Sequence, residues 1–128
     1  MLDHVGFAVS DFARSRKFYE AALAPLGITL MMEVDASVTG AESHAGFGES
    51  GKPYFWIGSG KALSGSLHVA FSVADRAMVQ AFYDAALAAG GSDNGPPGLR
   101  AHYHPNYFGA FVFDPDGHNI EAVCHLPE

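Results

Sequence analysis

An internal repeat governs how this chain can fold. The stretch HVGFAVSDFARSRKFYEAALAPLG, from His4 to Gly27, returns 64 residues later as HVAFSVADRAMVQAFYDAALAAGG, from His68 to Gly91, with thirteen of the 24 aligned positions identical. The interval is half of the 128-residue length. Self-similarity of this kind marks two copies of one supersecondary unit. Neither copy can cover its own sheet, so the two must pack together or pair with another chain.

Both copies read as a strand followed by a helix. Val5, Phe7 and Val9 alternate with His4, Gly6 and Ala8; Val69, Phe71 and Val73 alternate with His68, Ala70 and Ser72. Period two is the strand signal. The helices are predicted over Phe12–Leu26 and Arg76–Ala89, capped by Ser10 or Asp11 and by Asp75, and closed by Gly27 and Gly90-Gly91. Further strands are expected at Ile28–Val34, Lys52–Gly58, Gly109–Phe113 and Asn119–His125, with part of Ala36–Gly51 and a short Arg100–Pro105 piece added. Ser59–Ser66 reads as a linker and Ser92–Leu99 as a loop. Asp114-Pro115-Asp116-Gly117 has the residues of a type I turn. The expectation is one α+β domain of two βαβββ modules, residues 1–60 and 66–125, whose curled mixed sheet encloses a central cleft. Open sheet edges predict a homodimer.

Seven basic against 14 acidic residues give a formal charge of −7, and no basic run offsets it. Nucleic acid and anionic membranes are poor partners for such a surface. No signal-peptide pattern and no span-length apolar run are present, so a cytoplasmic protein is expected. The lone Cys124 allows no intrachain disulfide; it is read as filling a small apolar gap.

The two opening strands carry the chemistry. Their Val/Phe faces have the helices to pack against. Their opposite faces hold a histidine and only small residues, the lining of a cleft rather than of a core. On the closing strand Glu121 interrupts an apolar run, and a buried carboxylate is costly unless paired or ligating a metal. Two histidines and a carboxylate are a ligand set for Fe(II), and equally for Zn, Mn or Ni. His4, His68 and Glu121 are therefore the expected ligands of a divalent ion.

The paired units, the openings LDHVGFAV and LHVAFSV, and the closing DPDGHNIEAVCH resemble the vicinal oxygen chelate superfamily, the glyoxalase, bleomycin-resistance and extradiol-dioxygenase group, over essentially the whole chain. The resemblance implies a metal held by a histidine on the first strand of each unit and an acidic residue on the last strand of the second, which here match His4, His68 and Glu121. Glyoxalase members carry a fourth ligand, Glu or Gln, on the last strand of the first unit. Pro53-Tyr54-Phe55-Trp56-Ile57 holds neither, which favours a three-ligand, dioxygenase-like centre acting on a small substrate with vicinal oxygens. Extradiol enzymes also use His and Tyr as acid–base groups. The tyrosine expected on the penultimate strand falls near Phe111, leaving Tyr107 and Tyr103 as substitutes. Two alternatives stand beside this reading. One is a metal-free binding protein for a drug-like or aromatic ligand, in which Trp56, Phe55 and Tyr107 matter more; the other is a glyoxalase I-like lyase.

His102 and His104 share parity in AHYHPNYFGAF and are read, with Tyr107, as proton-moving groups on the cleft wall. Trp56, Arg100 and Tyr103 are assigned to substrate binding, Arg100 as the one cation near the cleft. His118 and His44 are expected at the surface. His125 lies four residues beyond Glu121, roughly 13 Å along a strand, too far to share its metal. Tyr19 and Tyr83, equivalent in the repeat, are read as core packing.

Overall fold

The computed structural model describes residues 1–36 and 42–128. The element order is β1 (Val5–Ala8), α1 (Phe12–Leu23), a 3-10 turn (Ala24–Leu26), β2 (Thr29–Val34), β3 (His44–Glu49), β4 (Lys52–Gly58), β5 (His68–Ser72), α2 (Arg76–Ala88), β6 (Ser92–Asp93), β7 (Gly98–Leu99), β8 (Phe108–Phe113) and β9 (Asn119–Cys124). The strands form two mixed sheets, ordered β1-β4-β3-β2 and β5-β9-β8-β6, with β7 also pairing β8. In each sheet the opening strand runs parallel to the closing one, β1 to β4 and β5 to β9. β1 and β5 are thus the outermost strands of their sheets.

Sequence periodicity explains which face each element buries. α1 buries Phe18, Tyr19, Ala22 and Leu23; α2 buries Val79, Phe82 and Ala86. Phe18/Phe82 and Ala22/Ala86 are repeat equivalents. These side chains join Phe47, Phe55 and Ile57 of the first sheet and Phe71, Val112, Ile120 and Ala122 of the second in one buried cluster. The Phe55 and Phe71 rings meet edge-on across the two units at 5.3 Å. Gly91 shows how closely they approach: a Cβ there would lie 2.8 Å from the Phe18 ring. Gly6 and Ala8 of β1 and His68 and Ala70 of β5 alternate with the Val and Phe side chains that pack against this core.

Several boundaries differ from expectation for local reasons. The first helix stops at Leu23, because Pro25 has no N–H to continue the ladder; the chain tightens into the 3-10 turn and leaves through Gly27 at φ 77°. The expected loop Ser92–Leu99 contains β6 and β7, which pair with β8. The expected strand Arg100–Pro105 is instead turned back on itself. Arg100 N–H donates to the Tyr107 carbonyl at 2.7 Å, while Tyr103 and His104 N–H groups donate to the Arg100 carbonyl. Within Ala36–Gly51, β3 is the strand, and residues 37–41 lie outside the described residues. His118 is a correction too: it is 2 % exposed, its ring 5.4 Å edge-on from Phe7. The turn at 114–117 folds it inward, its N–H donating to the buried Asp114 carboxylate. Cys124 is buried and free, and His44 is exposed. No helix among the described residues is long and apolar enough to cross a membrane.

Candidate metal and substrate site

Glu121 stands on β9, opposite Ala70 of β5 and Phe111 of β8. It is wholly buried. Its Oε1 lies 2.8 Å from His68 Nε2, and its Oε2 accepts a hydrogen bond from the Tyr107 hydroxyl. Among the described residues His68 is its only ion-pair partner. A carboxylate so desolvated is satisfied in geometry but short of positive charge. Burial, and then the bond to Glu121, push the Tyr107 phenol well above its ordinary range. That phenol stays protonated through neutral pH and acts as a donor.

The other candidates on this sheet gather around that trio. Phe111 has its ring centroid 6.2 Å from that of His68, and the Arg100 guanidinium lies over Phe111 at 5.4 Å while donating to the Pro96 carbonyl. Tyr103 meets Tyr107 at 5.1 Å and His102 covers Tyr103 at 4.1 Å. His104 accepts from Asn106 N–H through Nδ1 at 3.1 Å. His102, Tyr103 and His104 are exposed; they form the rim, with Tyr107 reaching inward.

His4 lies on the other sheet. It is exposed, immediately before β1, with Nδ1 2.7 Å from Asp3 Oδ1. Lys52 also bonds Asp3, and Lys52 first, then His4, hold that carboxyl below its usual range. Engaging Nδ1 with a carboxylate leaves Nε2 for a ligand, a common arrangement behind metal-binding histidines. Trp56 shares His4's sheet, paired with Gly6 of β1 and Gly46 of β3. Among the described residues no three His, Cys, Asp or Glu side chains are grouped to hold a metal ion within the chain. The structure therefore brings together His68, Glu121 and Tyr107, with Arg100 and Tyr103 near them, and leaves His4 and Trp56 on the first sheet.

The residues fit a divalent ion. Imidazole nitrogen and carboxylate oxygen are the donors borderline metals take. His68 Nε2 and Glu121 Oε1 supply one donor of each kind, 2.8 Å apart at hydrogen-bond distance. Sequence reasoning missed Asp3, although its neighbour in the chain was the signal and unit two has Leu67 at that place. His125, read as too far along the strand to share a metal, packs its ring on Tyr107 at 5.2 Å and on His104 at 5.7 Å.

Residues 1–122 match the family model of the Glyoxalase/Bleomycin resistance protein/Dioxygenase superfamily. None of the curated proteins matches the chain. Among solved structures, a glyoxalase/bleomycin resistance protein from Albidiferax ferrireducens T118 is 27% identical with a TM-score of 0.75, covering 97% of this chain and 98% of that one. A glyoxalase I mutant from Zea mays is 26% identical with a TM-score of 0.71; the match covers 95% of this chain and 45% of that one, so this chain spans less than half of the maize enzyme. A mutant of the fosfomycin resistance protein FosX from Listeria monocytogenes, complexed with Mn(II) and 1S,2S-dihydroxypropylphosphonic acid, is 17% identical with a TM-score of 0.68, covering 98% and 93%; at that identity it shows the fold alone.

Proposed function

The chain belongs to the Glyoxalase/Bleomycin resistance protein/Dioxygenase superfamily, and on that premise we propose that it is a divalent-metal-dependent enzyme acting on a small substrate with vicinal oxygens, with His68, Glu121 and His4 as the metal's protein ligands. The observation that carries this reading is the buried Glu121 carboxylate, set between His68 Nε2 at 2.8 Å and the Tyr107 hydroxyl. When bound, the ion would supply Lewis-acid charge to two neighbouring substrate oxygens. Fe, Zn, Mn and Ni are all compatible with the donors.

The third ligand is the partner's contribution in this reading. His4 belongs to the first unit and the His68–Glu121 pair to the second, and β1 and β5 are both edge strands. A second copy that lays its β1 against β5 brings its own His4 to the pair. The hollow of about 450 Å³ between the two edges, walled by Val5, Phe55, Val69 and Phe71, offers apolar surface for that homodimer.

The chain's own groups then have distinct tasks. Tyr107 Oη, held protonated, gives its one hydrogen to Glu121 Oε2, and passes it to a substrate oxygen on which negative charge builds only when that carboxylate turns to the metal. Arg100, braced on Phe111, meets an anionic substituent. His102 and His104 exchange protons with solvent at the rim, and Tyr103 closes the space over Tyr107. Register supports a three-ligand, dioxygenase-like centre over a glyoxalase I-like one. Trp56 pairs with Gly6 as Glu121 pairs with Ala70, so unit one puts an indole where unit two has its carboxylate.

The test is metal analysis of protein purified without chelator, in the parent and in His4→Ala, His68→Ala and Glu121→Ala. Near-stoichiometric metal in the parent and background metal in each variant is the expected result. Co-expressing His4→Ala with Glu121→Ala should restore one loaded site per mixed dimer, since one pair and one His4 survive on opposite chains. A parent that takes up no metal under Fe, Zn, Mn and Ni supplementation overturns the enzyme reading and leaves metal-free ligand sequestration.

A further inference from the structure

We infer that the hollow beside the turn of the β3–β4 hairpin, at the seam of the two units, is a second ligand site, and that it takes a small protonated amine with an apolar body. The inference goes beyond the metal reading. None of His4, His68, Glu121 and Tyr107 lines this hollow, and nothing in it uses a metal.

The first support is the chemistry of the space. About 380 Å³ lies between Leu26 and Ile28 of the first unit and Phe71 and Met78 of the second, with Glu49 and Tyr54 on the hairpin side. Leu26, Ile28 and Phe71 belong to the buried core, so these walls are firm. Apolar walls with a few fixed polar groups are the make-up of small-molecule sites, and this volume is near their small end. Among the described residues Glu49 is the only charged side chain on the lining.

The second support is that this acid has no cation. Glu49 Oε1 accepts from the Tyr54 hydroxyl at 3.1 Å, its only side-chain hydrogen bond among the described residues. Lys52 stands opposite Glu49 in the β3–β4 register, the place from which a cross-strand ion pair is made. Its ammonium bonds Asp3 instead. Burial, and then the bond to Glu49, push the Tyr54 phenol up to about 12, so its hydrogen stays on Oε1 through neutral pH. Oε2 is left to accept from a ligand.

The third support is how the acid is held and what surrounds it. β3 turns into β4 through Ser50 and Gly51, at φ 53° and 80°, the paired positive φ of a two-residue turn that matches strand twist. Gly48 packs so tightly on the other strand that a Cβ there would stand 2.0 Å from the Lys52 carbonyl oxygen. Glu49 is thus set on a short hairpin end with little freedom. Across the hollow, α1 and its 3-10 turn end with no basic residue in the last turn, so the partial negative charge of that terminus is uncompensated. The start of α2 carries the opposite partial charge, but the Asp75 carboxylate already accepts its Met78 N–H at 2.9 Å. An anion here meets Glu49, Asp75 and the end of α1. An ammonium gives Glu49 a charge-assisted hydrogen bond, and its hydrocarbon body covers the apolar walls.

Cyclohexylmethylamine, cyclohexylmethanol and cyclohexanecarboxylate share one body and differ in charge. Each is titrated into the protein as purified, at neutral pH and low salt, by calorimetry, and backbone amide shifts of isotope-labelled protein locate the binding. The expected result is saturable binding of the amine, roughly fivefold weaker binding of the alcohol, the upper range for an exposed ion pair, and no binding of the carboxylate. Shift changes should centre on Glu49, Tyr54, Ser72 and Val73. Glu49→Gln, at an exposed position, keeps an acceptor for Tyr54; it should lower amine affinity roughly fivefold and leave the alcohol within about twofold of the parent. No saturable amine binding, equal affinity for amine and alcohol, a Gln variant that binds the amine like the parent, or shift changes centred on His68 and Glu121 overturns the site. Repeating the titration with chelator separates this site from the metal reading. Amine binding that survives chelator, the expected outcome, stands whether or not the protein ever loads metal; amine binding that vanishes with chelator puts the amine on the ion and overturns the site.

Discussion

Unit one and unit two of this chain use the same scaffold for opposite chemistry. In unit two the outward face presents His68, Ala70, Phe111 and Glu121; at matching register unit one presents His4, Gly6, Gly46 and Trp56. The aromatic has moved from the middle strand to the strand beside the opening one, and the carboxylate is gone. The inward faces stayed alike: Val5/Val69, Phe7/Phe71, Phe18/Phe82 and Ala22/Ala86 recur, and all pack in or against the common core. Packing density tolerates little change in such positions, whereas an outward face is free to diverge. The lesson is that the core preserved the repeat while the outward faces diverged, one toward a carboxylate–imidazole pair and one toward an indole.

The largest effect that tests this division is on metal. Glu121→Ala should bring metal occupancy to background and lower turnover on the order of 100-fold or more, since loss of a ligand exceeds the 10- to 100-fold cost of losing an outer partner. The register-equivalent Trp56→Ala should leave metal occupancy at the parent level, as measured by elemental analysis of both proteins. Comparable metal loss in both variants would break the comparison, because the two faces would then serve one task.

How much of this could be read in the sequence follows the same line. The units, their inward faces and both helix caps were legible, because period two and period 3.6 are written locally. The β6 and β7 strands were not: two residues each, they exist only because β8 offers an edge. The stretch from Arg100 to Pro105 has strand-like residues, yet the hydrogen bond from Arg100 to Tyr107 closes it as a loop. His118 looked like a surface residue after a turn and is buried by Phe7, more than a hundred positions away. The placement of His4 away from Glu121 is likewise a property of how two units pack, which neither unit encodes alone.

Tyr19 and Tyr83 give the next test, since they are equivalent in the repeat and not in their surroundings. Tyr19 is fully buried and its hydroxyl donates to the buried Asp114 of the other unit. Tyr83 is half-buried and donates to the exposed Asp93 at 3.0 Å. Tyr19→Phe takes a donor from a buried carboxylate and should cost about 1.5–3 kcal/mol; Tyr83→Phe should stay within about 0.5 kcal/mol. Urea melts measure both. Burial first, then the Asp114 charge, push the Tyr19 phenol well above its usual value of 10.0. The folded protein keeps a proton that the unfolded chain releases, so this contribution is complete below about pH 10 and is lost as pH rises further. Melts repeated above that pH should show the parent losing stability on a limb that Tyr19→Phe flattens. An unchanged limb would mean that the Tyr19–Asp114 contact does not link the two units.

The smallest effect is expected where the units are most alike. Asp11 caps α1 by accepting from Arg14 N–H at 3.1 Å, and Asp75 caps α2 by accepting from Met78 N–H at 2.9 Å. Each satisfies one orphan donor of a helix start, so Asp11→Ala and Asp75→Ala should each cost about 1 kcal/mol. Their neighbours differ. Arg14 bonds Ser10 and Asp116 and so ties the start of α1 to the turn at 114–117, while Arg76 at the start of α2 lies over the Phe108 ring at 5.0 Å and meets the exposed Glu128 at 3.6 Å, both in its own unit. If capping is purely local, the two losses agree within about 0.3–0.5 kcal/mol, the additivity limit for independent sites. A larger loss at Asp11 would show that the first helix start doubles as a clasp between the units, so that the repeat diverged at its helix ends as well as on its outward faces.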